Sequence, residues 1–399
     1  MHSRSVRVRQ TFRCYPSPRQ QRELGRLFGC VRLVYNKALR LRTDSYRDSK
    51  TSVNYEQTSA ALTKWKTQDD LKFLNDVSCV PLQQSLRNLQ TAFKAFFEKR
   101  NAYPKFKSKR GKQAAEFTRS AFKYDAANRN LSFAKIGRMD VHWSREFTSN
   151  PTTVTITKCP DGRYFVTLCL DETVDALPKT GETVGIDLGI NRLATLSNGE
   201  RIPNPKHLCA KLKKLARLGR VLSRRKKGSS RWNRQRLKVA RFHSHVADAR
   251  KDYLDKLTTG LVRRFDVLAI EDLNVRGMAA NEKLARAVGD AGLGMFRKML
   301  EYKAAWYGKE IKVVDRWFPS SKRCHCCGFV VEKLPLSVRE WDCQCGAHHD
   351  RDENAAKNIL SAGGQPVKAR GESARPVRAK VRTGSSRRTV NQPSSVDVL

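Results

Sequence analysis

The sequence predicts an α+β multidomain protein: a helical segment set into a β-rich amino-terminal half, then an α/β domain with a cysteine-rich insertion. Three observations lead there. Residues 5–15 and 114–175 alternate apolar and polar side chains between turn signals, the period of half-buried strands. Residues 17–100 instead repeat apolar side chains every three or four positions, as helices do. From Val184 onward strand-like and helix-like segments alternate.

Residues 5–15 read as an edge strand. Ser17, Pro18 and Gln20 then supply an N-cap, a proline at the first helical position and the glutamine of a capping box. Leu24, Leu27, Phe28, Val31, Tyr35 and Ala38 share one helical face, and Leu82, Leu86, Leu89, Phe93 and Phe97 mark a second helix. Residues 101–112 form a basic connector with interleaved rings, either a plain linker or a segment that meets phosphates and bases. Turn signals at 160–162 pair Thr153–Thr157 with Tyr164–Leu170 as a hairpin. Beyond Val184 the expected order is strand, strand, helical hairpin, strand, helix, strand, cysteine-rich loop, helix. The hairpin breaks at Gly228-Ser229-Ser230, beside Arg224, Arg225, Lys226 and Lys227. Such a run is a solvated face or a nucleic-acid contact. The segment 361–399 is rich in Gly, Ser, Pro and Arg without periodicity, and reads as a disordered basic tail.

The formal net charge is +41 over 399 residues. About 20 base pairs of duplex carry roughly 40 phosphates, so this excess suits a long nucleic-acid footprint better than one small site. No apolar run approaches the ~18 residues of a membrane span, and the basic start lacks the apolar stretch of a secretory signal. A cytoplasmic protein with no membrane partner is therefore expected. Five of the 11 cysteines fall within 324–345, which in a reducing compartment points to metal rather than disulfides.

Three acids stand where three elements end. Asp187 closes Val184-Gly185-Ile186, Glu271 closes the apolar run Val267-Leu268-Ala269-Ile270, and Asp352 opens a helix. Alone, each has a plain explanation: acids are common at strand ends, and Asp350 with Glu353 fits a capping box. Together they suit phosphodiester hydrolysis, in which two magnesium ions about 3.5–4 Å apart activate water and neutralise the leaving oxygen. Gly185 and Gly189 would let a phosphate backbone come close to Asp187. Packed carboxylates repel unless a cation neutralises them, which speaks against a metal-free structural role. The cysteines outline a zinc ribbon, with Cys324, Cys327, Cys343 and Cys345 as the preferred ligands. The second knuckle is C-x-C, one residue short, so the fourth ligand stays open among Cys345, Cys326, His325, His348 and His349. Arg351, beside Asp352, either steadies a phosphate or forms an exposed salt bridge.

The motifs Gly-Ile-Asp-Leu-Gly-Ile-Asn at Asp187, Ala-Ile-Glu-Asp-Leu-Asn at Glu271, Phe318–Cys324 and His349–Ile359 resemble TnpB, the OrfB-type proteins of bacterial insertion sequences, relatives of the type V CRISPR effectors. Tyr15-Pro16, Val34–Asn36, Leu82–Leu86 and Tyr103–Phe106 extend the resemblance over residues 5–360. It implies a wedge-like β-barrel (1–16 and 113–180) with a helical recognition insert (17–112). An RNase H-like (RuvC) nuclease domain (181–319 and 347–360) with an inserted zinc ribbon (320–346) would follow. It also implies an RNA-guided, metal-dependent DNA endonuclease encoded by a transposable element: a monomeric ribonucleoprotein in the bacterial cytosol or nucleoid. Its partners would be a guide RNA and double-stranded target DNA, cut next to a short motif read by the protein, with Tyr55 and Gln83 falling in the motif-reading region. The competing readings are an unguided nuclease or transposase acting on element ends, and an RNA-guided DNA-binding regulator that does not cut.

Overall fold

A computed structural model describes residues 3–364. The chain divides into two compact units, one built from residues up to 175 with 212–246, the other from 176–211 and the residues from 247 on. The segment 212–246, which the sequence places within 181–319, thus groups with the first unit.

The first unit opens with β1 (Ser3–Cys14), α1 (Pro18–Ser49), α2 (Tyr55–Thr67) and α3 (Cys79–Phe97). Then come β2 (Gln113–Thr118), β3 (Phe122–Asp125), β4 (Asn130–Phe133), β5 (Gly137–Met139), β6 (Val141–His142), β7 (Thr153–Lys158) and β8 (Tyr164–Asp175). The expected capping box starts α1: Ser17 Oγ accepts from Gln20 N at 3.3 Å, and Gln20 Oε1 accepts from Ser17 N at 2.9 Å. All six residues of the predicted apolar face are buried. On α3, Leu82, Leu86, Leu89 and Phe93 are buried, but Phe97, in the last turn, is 72% exposed and stacks on Phe93 instead.

The strands form an antiparallel sheet in the order β2-β7-β8-β1-β6 and a separate sheet β3-β4-β5. This corrects the expected barrel. Closure requires a continuous ladder around the sheet, and β6 meets β1 only at Arg13 and Cys14, while β2 pairs with β7 alone among the described strands. The interior is filled instead by side chains, with Phe12 against Trp143 and Phe147 and Phe117 against Phe133. β1 is also not a simple edge strand: it pairs along its length with β8 and at its end with β6. One apolar core joins both sheets to α1, α2 and α3.

The second unit holds β9 (Thr183–Leu188), β10 (Arg192–Leu196) and β11 (Arg201–Pro203). A hairpin of α4 (Leu212–Ser223) and α5 (Ser230–Arg264) follows, broken where expected, with α5 running on into this unit. Next are β12 (Val267–Glu271), α6 (Val275–Ala280), α7 (Glu282–Ala291), α8 (Leu293–Tyr307) and β13 (Glu310–Val314). After the cysteine-rich segment come β14 (Glu340–Asp342), β15 (His348–Asp350) and α9 (Arg351–Gly364). The sheet order is β11-β10-β9-β12-β13, antiparallel from β11 to β9 and parallel from β9 to β13. β12 is buried as its unbroken apolar run requires: Leu268, Ala269 and Ile270 are at most 1% exposed. α9 extends through 361–364, which composition assigned to the tail; the remainder of that tail lies outside the described residues. No described helix is long and apolar enough to cross a membrane.

Candidate metal centres

β9 and β12 are parallel neighbours with Ile186 opposite Ile270, so Asp187 and Glu271 leave adjacent strands at one level. α9 crosses this sheet at very close range. A Cβ added to Gly185 would sit 2.0 Å from the carbonyl oxygen of Ala356, and one on Gly363 would sit 2.8 Å from the Cβ of Ala269. Asp352 lies one turn before Ala356, which carries it to the strand ends. The two glycines expected to admit a phosphate are taken up by the chain itself: Gly185 by α9, and Gly189 by its turn, where a Cβ would meet the Arg192 carbonyl oxygen at 2.9 Å.

The capping explanation for Asp352 falls to its neighbour. Asp350 Oδ1 accepts from the backbone N–H groups of Asp352 and Glu353, both at 3.0 Å, and so starts α9. Asp352 is left facing Arg339 Nη1 at 3.3 Å and Arg192 Nη1 at 4.0 Å, while Arg201 pairs with Asp350 at 2.9 Å. The next acid after Glu271 behaves differently from it. Asp272 is held by Arg297 at 2.6 Å and by Arg316, and its carboxyl lies below the usual range because of these hydrogen bonds. Glu271 pairs with no arginine among the described residues; it accepts from the Ser320 hydroxyl. Burial raises the Glu271 carboxyl, opposed by that hydrogen bond. Asp187 is pushed up to about 8, first by burial and then by the charges of Glu271 and Asp352. Asp187 thus feels the charges of both other acids, opposed by Arg351 and Arg339, although the three carboxylates do not all come within 4.8 Å of one another. Arg351 is half-buried and donates to the Pro335 carbonyl at 2.8 Å, so it is not an exposed salt-bridging arginine.

The thiols of Cys324, Cys327, Cys343 and Cys345 all lie within 4.8 Å of one another. Four sulfurs at about 2.3 Å from one ion stand about 3.8 Å apart. Cys324 and Cys345 are 3.8 Å apart, Cys327 and Cys343 3.6 Å. The C-x-C knuckle therefore reaches, helped by the turn in which Gly346, at φ 84°, donates to the Cys343 carbonyl at 2.9 Å. His325 and His348 stand outside this group. His349 and Cys326 make a second grouping that shares Cys324, with His349 Nε2 3.0 Å from Cys324 Sγ. Val331, Leu334 and Trp341 form a small core around the thiols.

The residues expected to touch nucleic acid, Arg351 apart, lie in the first unit. Tyr55 opens α2, half-buried, its hydroxyl accepting from Arg87 Nε at 3.3 Å; Gln83 is exposed on α3. Arg224, Lys226 and Lys227 are exposed at the hairpin turn, whereas Arg225 closes that turn by donating to the Arg231 carbonyl at 2.6 Å. The first unit also holds an open cavity of about 880 Å³ that no sequence pattern announced. Arg32, Lys109, Arg110, Lys158, Lys227 and Arg236 line it with Trp232 and Tyr164, and among the described residues no acidic one does. Its cations come from four separate segments, which is why the sequence does not show them as a cluster.

Residues 6–51 match a helix-turn-helix domain profile, residues 167–282 the OrfB_IS605 profile described as a probable transposase, and residues 294–359 the Cas12f1-like TNB domain. A Streptomyces pristinaespiralis protein, named by inference an RNA-guided DNA endonuclease, is 52% identical over 379 residues, 94% of each chain. The chain belongs to the TnpB (OrfB) family. InsQ of Escherichia coli K12, named by inference in the same way, is 34% identical over 387 residues, covering 92% of this chain and 95% of InsQ. A Cas12f1 chain solved with sgRNA and target DNA shares the α+β multidomain fold, with a TM-score of 0.55 at 12% identity over 89% of this chain and 99% of that one.

Proposed function

We propose that this TnpB-family chain is an RNA-guided DNA endonuclease of transposable-element origin. Its nuclease domain is of the RNase H-like (RuvC) type, and Asp187, Glu271 and Asp352 are its metal ligands. The supporting observation is that Asp187 and Glu271 leave adjacent parallel strands at one level, that the helix carrying Asp352 packs on Gly185, and that burial and the charges of both other acids push Asp187 up to about 8. The sheet order β11-β10-β9-β12-β13, with one antiparallel arm and the acids beside its centre, fits that fold type. The all-oxygen donor set suits magnesium. When bound, a pair of such ions would make a water nucleophilic and neutralise the leaving oxygen. The chain's own residues supply the frame. Asp187 and Glu271 are fixed by strand register, Asp352 by α9, and Arg192 and Arg339 stand beside Asp352 where a phosphate would approach.

Cys324, Cys327, Cys343 and Cys345 would hold zinc in a closed tetrahedral shell, a structural site. The acid-free cationic cavity of the first unit and the charge of +41 support polyanionic partners. A guide RNA and duplex target DNA are those partners, and the particle is a monomeric ribonucleoprotein of the cytosol. Tyr55 and Gln83 are proposed to read the motif beside the target, and Arg224, Lys226, Lys227 and Arg351 to contact phosphates.

The test is to purify the protein from cells carrying its native locus and sequence the RNA it retains. A discrete species is expected, and the complex should cut duplex DNA matching its guide in Mg2+. Absence of any discrete RNA refutes guidance; binding of matched DNA without cutting points to a regulator.

A further inference from the structure

Glu271 needs something to hold it. Asp187 repels it, no arginine among the described residues pairs with it, and a glutamate has one more rotatable bond than an aspartate to lose its aim with. Among the described residues, the side chain hydrogen-bonded to its carboxylate is Ser320, whose hydroxyl donates to Oε1. Ser320 is 7% exposed, and its surroundings show that the hydroxyl is not serving local backbone structure. The Ser320 amide already bonds the Phe318 carbonyl at 2.8 Å, and the following turn closes through Lys322 and Arg323 amides on the Pro319 carbonyl, at 3.0 and 2.9 Å.

What fixes Ser320 is α9. Asn358, 3% exposed, donates through Nδ2 to the Ser320 carbonyl at 2.8 Å and to the Arg323 carbonyl at 2.5 Å. One turn earlier Asn354, 1% exposed, donates to the same Arg323 carbonyl at 2.7 Å and accepts from the His325 amide at 3.0 Å. Both asparagines sit on the helix that carries Asp352, and that helix also packs on Gly185, two residues before Asp187.

We infer that Ser320 is a positioning residue for Glu271, held in place by Asn358, so that α9 sets the locations of all three carboxylates. Asp352 is on the helix, Asp187 is set by the Gly185 contact, and Glu271 is set through Asn358 and Ser320. With Oε1 tied to Ser320, the second oxygen is left for the shared cation site. This rests on the three-carboxylate site proposed above.

The experiment is calorimetric titration of Mn2+ into the full-length, zinc-loaded chain stripped of RNA at high salt, for wild type, Asp187→Ala, Ser320→Ala, Ser320→Thr and Asn358→Ala. Zinc content and melting temperature are read in parallel. Loss of a hydrogen-bond partner behind a metal ligand weakens binding by about 10–100-fold. Ser320→Ala should therefore bind Mn2+ about tenfold more weakly with zinc and melting temperature unchanged, and Ser320→Thr, which keeps the hydroxyl, should recover most of the affinity. Asn358→Ala should lose both affinity and stability, since the Ser320 carbonyl loses its donor and the Arg323 carbonyl keeps only Asn354. Wild-type affinity in Ser320→Ala, with affinity lost in Asp187→Ala, overturns the positioning role and leaves the metal site standing. Wild-type affinity in both overturns the site and the positioning role together.

Discussion

The ribbon and the carboxylate centre both gather side chains of one kind, and they dispose of the resulting charge in opposite ways. Four thiols stand at tetrahedral spacing, so an ion bound there would fill its shell with protein atoms and leave no position for water. At the other centre Asp187 is raised to about 8, first by burial and then by the charges of Glu271 and Asp352, while Arg339 and Arg192 pair with Asp352. A closed shell contributes folding energy. An open, buried group of acids would hold hard cations that keep water in their coordination, which is what the proposed hydrolysis needs.

The contrast breaks most sharply by removing one member from each centre. Asp187→Ala should lower cleavage of matched target DNA by on the order of 10³-fold or more while melting temperature holds or rises, because a carboxyl that is costly to bury has gone. Cleavage at the wild-type rate would end the three-acid mechanism. Cys324→Ser should do the reverse, losing zinc and lowering the melting temperature by about 10 °C or more, since metal binding at such a site is folding energy. Cys326→Ser should leave the zinc content unchanged; loss of zinc there would move the ligand set to the second grouping.

A smaller effect is expected in the first unit. Lys227→Glu with Arg236→Glu should weaken retention of the copurified RNA about tenfold and flatten its dependence on log salt by roughly 0.7 per lost phosphate contact. An unchanged slope would mean that the cavity faces no backbone. The smallest effect concerns pH. An unfolded aspartate titrates near 4, and folded Asp187 at about 8. Between those values the folded chain binds the extra proton, so stability in EDTA falls as pH rises through the window. Melting temperature should drop by a few degrees from pH 5.5 to 8 in EDTA and recover with Mg2+ or Mn2+. Asp187→Asn should flatten that slope, and an equal slope in that variant would assign it to other groups.

Most element types and many positions were legible from the chain, because periodicity is local. The capping box at Ser17, the buried face of α1, the hairpin of β7 and β8 and the broad strand-and-helix order after Val184 follow from neighbouring residues alone, whereas the short β11, the three helices α6–α8 in place of one, and the β14–β15 pair do not. Phe97 was misjudged for the complementary reason: the spacing continues to the helix end, but whether anything covers the last turn is not a local property. The barrel failed similarly, since closure depends on two strands distant in sequence meeting, and β6 is only two residues long. Gly185 shows the limit most directly. A glycine beside an acid suggests ligand access, and only the crossing of α9 shows that the missing side chain makes room for helix backbone.

The sequence by itself determined the donors: which acids end strands, which cysteines cluster, and how much positive charge the chain carries. These are properties of composition and spacing. The tertiary structure alone decided which acids are free. Asp272 is tied to two arginines, and Ser320 and Asn358 arrive from afar to hold Glu271. A carboxylate's protonation and aim depend on everything within a few ångströms of it, and those neighbours come from segments tens to more than a hundred residues away in the chain.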